Sequence, residues 1–435
     1  MQVIDIMRIS RQQGLLLPLL LACCLASPVF LFGGPLTSYS SPAYTEILAA
    51  TGRRPRPDCD PNWISTDCPR VAVVTSGAAS AVDGLKEYAY GDGDVLPLGP
   101  VFERLGALTK HVTVHVDNYL TTADVMTEEG QSNIFILRNA DIVVFNGGDP
   151  TRHMLCWYTS TLYPNSIFVT LQRRVALNQV VVMTVLEGSS VVGPAAYGSG
   201  TPFGYLHFIN SAGLYRLQPS EGPLEDRRNG TYGLQFEENG AWVKGFSFFN
   251  DFITDISFDS QGRIGRLVPA MDSLGVKLGI GIDESAVLKV DRDVVTVLGE
   301  GGVTVLDSSE SFKVPAYYFH RKNIKLHYLT SGDVFSLRLK EIITSKPPIT
   351  TPHEKGFMDS DDILGDGEVK RLVSRLVDQP ASSNQGNTQI PRKYPPNTPE
   401  FTFLFYKDDH TKGYKVGSTV TAFNVRLDVS AEVRS

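Results

Sequence analysis

Val71-Ala72-Val73-Val74-Thr75-Ser76-Gly77 is the stretch on which the fold turns. An apolar run without alternation, closed by a small polar residue and a glycine, is the pattern of a strand buried on both faces, as in a parallel sheet covered by helices. The same reading applies to Ile142-Val143-Val144-Phe145 and to the run from Val180 to Val185. Val112-Thr113-Val114-His115-Val116 reads as a further strand, and Phe102 to Lys110 as a helix. Strands alternating with helical stretches build βαβ units, so the expected class is α/β, a three-layer α/β/α sandwich with a mostly parallel sheet. Later the rhythm shortens: Ile280 to Ile282, Ala286 to Val290, Val294 to Leu298 and Val303 to Leu306 are separated by Asp, Arg, Gly and Glu, as in antiparallel edge hairpins.

The 435 residues, 42% hydrophobic and 20% charged, are ordinary globular material for one large domain or two. A formal net charge of −7, with no run of lysine or arginine, excludes the basic stripe of a nucleic-acid binder. At the N-terminus, Arg8 and Arg11 precede the apolar stretch Leu15 to Ala26, an n-region followed by an h-region. This predicts a signal peptide over 1–27 and secretion. The alternative is a membrane anchor, because apolar residues continue through Val29-Phe30-Leu31-Phe32. Residues 28–69, rich in Pro, Ser, Thr and Gly, read as a surface arm. Within it Cys59 and Cys68 flank a short polar loop; in an oxidising compartment they pair with each other rather than bind a metal, which wants four ligands. Cys156 is left as a buried thiol, and Asn229-Gly230-Thr231 is a glycosylation sequon. Residues 70–342 form the main domain. The stretch 343–400, dense in Pro, Ser, Asn and Asp, reads as a flexible extension with one short helix over Gly367 to Val377, and 401–435 as a β tail.

Four motifs, in order, carry the functional signal. Val143-Val144-Phe145-Asn146-Gly147-Gly148-Asp149 is similar to a strand followed by a G-G-D-Q turn. Val185-Leu186-Glu187-Gly188-Ser189-Ser190-Val191-Val192 stands where a G-T-S-A-G-A nucleophile turn is expected. Asp255 to Leu267 resembles D-x-H-F-x-x-R-x-R-x-G-R-L, and Gly279-Ile280-Gly281-Ile282-Asp283-Glu284-Ser285-Ala286 resembles G-I-G-I-D-E-x-T-A. These patterns resemble the cyanophycinase family of serine peptidases, over roughly residues 70 to 340. The resemblance implies a class I glutamine-amidotransferase-like (flavodoxin-like) domain with its crevice at the carboxyl ends of the strands. It also implies a serine hydrolase acting on aspartyl peptides or the polyaspartate polymer cyanophycin, with no cofactor and no metal. Whether the chain forms the homodimer common among such relatives stays open.

The departures fall on the chemistry. Read on this resemblance, Ser190 takes the nucleophile position, Ser257 stands in place of the histidine base, and Gln261 replaces the first arginine. Glu284 keeps the family's glutamate position; Gly147, Gly148, Asp149 and Arg263 are the candidate binding residues. A serine hydroxyl is far too weak a base to activate another serine near neutral pH. Val191 and Val192 occupy the places where an elbow favours small residues. Ser190 therefore reads either as a nucleophile or as an ordinary serine ending a strand, and His153 and His207 are the only nearby histidines to weigh as relocated bases. Three readings follow: a peptidase homologue of weak or lost activity, a non-catalytic peptide-binding protein using the same crevice, and an active hydrolase with a displaced base.

Overall fold

The computed structural model describes residues 27–38, 41–91, 95–212, 215–216, 241–353, 356–395 and 397–432. The apolar leader and the sequon at Asn229 lie outside them. The centre of the molecule is five parallel strands, β1 (Val29–Phe32), β2 (Arg70–Val74), β3 (Leu108–Val112), β4 (Ile142–Phe145) and β5 (Val181–Val185), in the order β1-β5-β4-β2-β3. Side chains alternate across this sheet as a period of two demands. Ala72, Val74, Val143 and Phe145 enter a core with Leu137, Trp157 and Phe168. Val71, Val73, Ile142 and Val144 enter one on the other face with Tyr44, Ile47 and Phe102. Helices therefore cover both faces, including α1 (Pro42–Ala49) on one and α2 (Pro150–Trp157) on the other. This is the three-layer arrangement expected of uninterrupted apolar strands. Beyond β1 the sheet continues antiparallel through Ala286–Asp291, Val294–Gly299, Val334–Ser336 and Glu341–Ile343.

A second sheet starts with the parallel pair β6 (Phe252–Ile256) and β7 (Leu278–Ile282), bridged by α3 (Ile264–Leu274). It continues through Gly302–Asp307, Arg321–Thr330, Thr419–Glu432, Glu400–Tyr406 and Ser383–Asn387. Here α4 (Glu368–Val377) buries Leu372, Val373 and Leu376 against Phe403, Phe405 and Leu427.

Four expectations need correcting. Val29–Phe32 belongs to neither an anchor nor a surface arm: β1 lies between β5 and Ala286–Asp291, fully buried. A four-residue apolar run adjoining an apolar leader cannot be told from it by hydropathy alone. Residues 343–400 are not a flexible extension, since α4 and Ser383–Asn387 pack into the second core, and Lys346 Nζ is buried 2.6 Å from Asp333 Oδ1. An amphipathic helix hides its apolar stripe within a polar average. The helix expected over 102–110 spans Leu98–Arg104 and ends before Gly106, whose φ of 83° a helix cannot continue. The strand expected at 112–116 is Leu108–Val112, a half-exposed edge strand whose polar residues mask it. Among the described residues, no helix is long and apolar enough to cross a membrane. Cys59 and Cys68 form a disulfide, and Cys156 is a buried free thiol.

Candidate functional site

The carboxyl ends of β1, β2, β4, β5, β6 and β7 meet in one place, tied by short backbone contacts. Ser189, just past β5, donates its hydroxyl to Phe32 O at the end of β1 (2.8 Å), and its own carbonyl accepts from Thr254 Oγ1 of β6 (2.6 Å). Ser257 N–H, at the end of β6, donates to Gly33 O (3.1 Å). Gly33 and Gly34 lie so close to the Asp283 and Glu284 carbonyls that a Cβ would come within 2.1 and 2.4 Å of them. Only glycine permits that approach. Across the crevice, Gly77 at the end of β2 accepts from Asp149 N–H (3.1 Å), and Gly148 adopts φ 95° beside it.

The turn after β5 corrects the nucleophile assignment. A nucleophile elbow puts its reactive residue at the first position past the strand, in a strained backbone, with a glycine two residues on. In this chain that residue is Leu186, at φ 51°, and the glycine is Gly188, where a Cβ would lie 2.3 Å from Asn146 O. The G-T-S-A-G-A pattern therefore falls on Thr184-Val185-Leu186-Glu187-Gly188-Ser189, four residues earlier than serine identity alone suggests. Ser190 sits in ordinary right-handed backbone (φ −82°, ψ −20°) and donates its hydroxyl to Glu187 O at 2.7 Å, closing a 3₁₀ turn. Val191 and Val192 are not elbow residues; they are buried in the core beyond it. The spacing from the end of the apolar run to Gly188 carried the right register in the sequence.

Ser257, the residue read at the histidine position, stands directly past β6 and carries no basic group. Ser257 has φ 42°, directly past β6, and its hydroxyl lies 3.5 Å from Gly33 O. Ser260 Oγ lies between it and Glu284, its hydroxyl within donating distance of Glu284 Oε1 (3.1 Å) and of Ser257 O (3.2 Å). Glu284 is exposed and faces a cleft of about 470 Å³ that also holds Tyr44 and Glu300. Asp255, fully buried, accepts Arg266 Nε (2.7 Å) and Nη2 (2.5 Å) and Arg263 Nη1 (3.2 Å), with Arg266 also 4.5 Å over the Tyr197 ring. Arg263 is thus committed to the protein, to Asp255 and to Gln261 Oε1 (3.0 Å), and burial together with the neighbouring Arg266 charge lowers its pKa. Asp149 is the N-cap of α2, accepting from Thr151 N–H at 2.7 Å.

The two candidate histidines, His153 and His207, both lie in packed surroundings. His153 is fully buried, and burial pushes its pKa down to about 4. Its Nδ1 lies 2.8 Å from Ser76 Oγ, the oxygen that also accepts from Trp157 Nε1 (2.8 Å). Whichever ring nitrogen carries the proton, Nδ1 is engaged by the buried Ser76 hydroxyl and the ring is enclosed by protein. His207 packs among Tyr318, Tyr394 and Phe203 in the second core. Among the described residues no cluster of His, Cys, Asp or Glu is suited to hold a metal ion. A large cleft of about 1030 Å³, lined by Trp242, Phe252, Lys277 and Leu278, opens at the amino ends of β6 and β7 and shares none of the motif residues.

No family model matches the chain. It is 31% identical over 105 residues to a cyanophycinase of Synechococcus elongatus, covering 22% of this chain and 33% of that protein. It is 30% identical over 205 residues to a cyanophycinase of Geminocystis herdmanii, covering 45% of this chain and 61% of that protein. The chain thus spans between a third and three-fifths of the length of these relatives. A solved peptidase from an acI-B1 actinobacterium overlaps 72% of this chain and 97% of its own at a TM-score of 0.42 and 14% identity, a likeness too loose to bear on chemistry. By its ordered motifs and these sequence matches, the chain is similar to cyanophycinases over part of their length.

Proposed function

We propose that this chain is a cyanophycinase-like peptidase homologue that has lost serine hydrolysis and keeps the crevice as a peptide-binding site. The observation that carries this reading is Leu186 at the left-handed elbow position, where acyl transfer requires a nucleophile. Ser257 in the base position removes the second member of the machinery, and loss of such groups costs several powers of ten in rate. The full burial of His153, with Nδ1 engaged by Ser76 and its pKa pushed down to about 4 by burial, argues against a relocated base. The retained glycine contacts at Gly33, Gly77 and Gly148 favour a preserved crevice. Aspartyl peptides, the substrate class that the motif resemblance implies, are the ligand class to test first. Export is part of the proposal: the charged and apolar leader and the Cys59–Cys68 disulfide both suit an oxidising compartment.

The test is a titration of the purified protein with a short oligoaspartate peptide, followed by calorimetry, with product analysis of the same mixture by mass spectrometry. Binding without cleavage is the expected result. Cleavage of the peptide would overturn the loss of hydrolysis, and absence of binding would overturn the binding role.

A further inference from the structure

Leu186 and Glu187 do more than lack chemistry; together they cover the Gly147–Gly148 turn. The Leu186 side chain lies against Gly147, where an added Cβ would come within 3.1 Å of its Cδ1, and Glu187 Oε2 would lie equally close at 3.1 Å. That same carboxylate oxygen accepts from the Gly148 N–H at 3.3 Å. Gly148 is held at φ 95°, with its own neighbour Asp149 N–H tied to Gly77 O, so the turn is rigid and its donor is aimed. The negative charge of Glu187 also acts on Arg263.

A backbone donor held in a fixed turn and aimed at a carboxylate is an arrangement for an anion. Here the anion is supplied from within the chain, thirty-nine residues away in sequence. The group that fits is a carboxylate, because one is already there. The bond is long for a charge-assisted contact, and Glu187 is only half-buried, so the side chain can leave without a large desolvation cost. We propose that the Gly147–Gly148 turn is a carboxylate-binding site that Glu187 holds closed, so that an acidic ligand binds by displacing that side chain. This deepens the peptide-binding reading and rests on it.

Succinate is the probe, with neutral succinamide as its control, titrated calorimetrically into the intact wild-type protein, Glu187→Ala and Glu187→Gln. Selective ¹⁵N-glycine labelling follows the Gly148 amide in the same samples. Both variants are expected to bind succinate at least about tenfold more tightly than wild type, with the Gly148 resonance moving on titration, while succinamide binds none of them. Equal affinity of wild type and both variants for succinate, including equal absence of binding, would overturn the proposal. So would a Gly148 resonance that ignores both the substitutions and the ligand. Glu187→Gln keeps the size of the side chain and serves if Glu187→Ala fails to fold. Should the oligoaspartate peptide still bind all three proteins alike, the crevice reading survives and the displacement of Glu187 fails; should it bind none, both fail.

Discussion

Leu186 and Ser257 hold the same unusual backbone in equivalent places: each is the first residue past a parallel strand, and each lies in the left-handed region, at φ 51° and 42°. Neither is glycine. Left-handed conformations of such residues cost about 1–3 kcal/mol each and persist where surrounding structure over-determines them. On the motif resemblance, these are the positions that would correspond to the nucleophile and base of a cyanophycinase-type serine peptidase. The two positions share this backbone geometry while carrying a leucine and a serine.

If the elbow geometry is enforced by packing, the glycine behind it is indispensable. Gly188→Ala puts a methyl group 2.3 Å from Asn146 O, a backbone atom that cannot swing away. The expected loss is about 1–3 kcal/mol of stability, read as a lowered denaturation midpoint. A neutral effect would mean that the β4 and β5 turns are not in the described contact.

Asp255 anchors the loop that bears Ser257, Arg263 and Arg266. Replacing it with alanine strands two guanidinium groups, one of them against the Tyr197 ring, in a buried site. Removing one partner of such a buried cluster costs about 3–5 kcal/mol, which chemical denaturation would register. A change below about 1 kcal/mol would place these side chains in water instead.

A pH effect follows from Asp259 and Asp283. Burial, then the charge of Asp283 beside it, pushes the Asp259 carboxyl up to about 7, and burial raises Asp283 as well. Asp259 also accepts from the Lys370 N–H at the start of α4 (3.3 Å), while Asp283 accepts from Gly302 N–H (3.1 Å) and Tyr328 OH (3.2 Å). A carboxyl raised in the folded state holds its proton there while the unfolded chain has released it. Its contribution to stability is therefore complete below about pH 4, falls as pH rises, and is gone above about pH 7. Subtracting the pH profile of Asp259→Asn from that of the wild type should leave this decline, with a slope of up to about 1.4 kcal/mol per pH unit. A flat difference curve would refute it.

The disulfide closes a loop with a sequence separation of 9. Loop-closure arithmetic gives about 2–3 kcal/mol for so short a span. Reduced protein, or Cys59→Ser with Cys68→Ser, should unfold at correspondingly lower denaturant; identical midpoints would show that the crosslink is idle.

The parallel core was legible because β2, β4 and β5 are unbroken apolar runs, and α4 because its stripe shows the 3.6-residue period. What escaped did so for physical reasons. β1 was absorbed into the apolar leader it adjoins, and with it went Gly33 and Gly34, which join β1 to Asp283 and Glu284. The nucleophile position was misplaced because a serine attracts attention that a leucine does not; only the backbone dihedral of Leu186 settles the register. Ser257, Glu284 and the Gly147–Gly148 turn were read from motifs and lie just past the carboxyl ends of β6, β7 and β4, whereas the Glu187 contact joins residues far apart in sequence, which no local pattern announces.

Labelling by a fluorophosphonate probe with peptide-level site mapping tests most directly whether an activated serine exists at the elbow. Wild-type protein is expected to remain unlabelled throughout the crevice, and a Leu186→Ser, Ser257→His double variant to gain a label at position 186. Ready labelling of Ser190 in the wild-type protein would contradict the account.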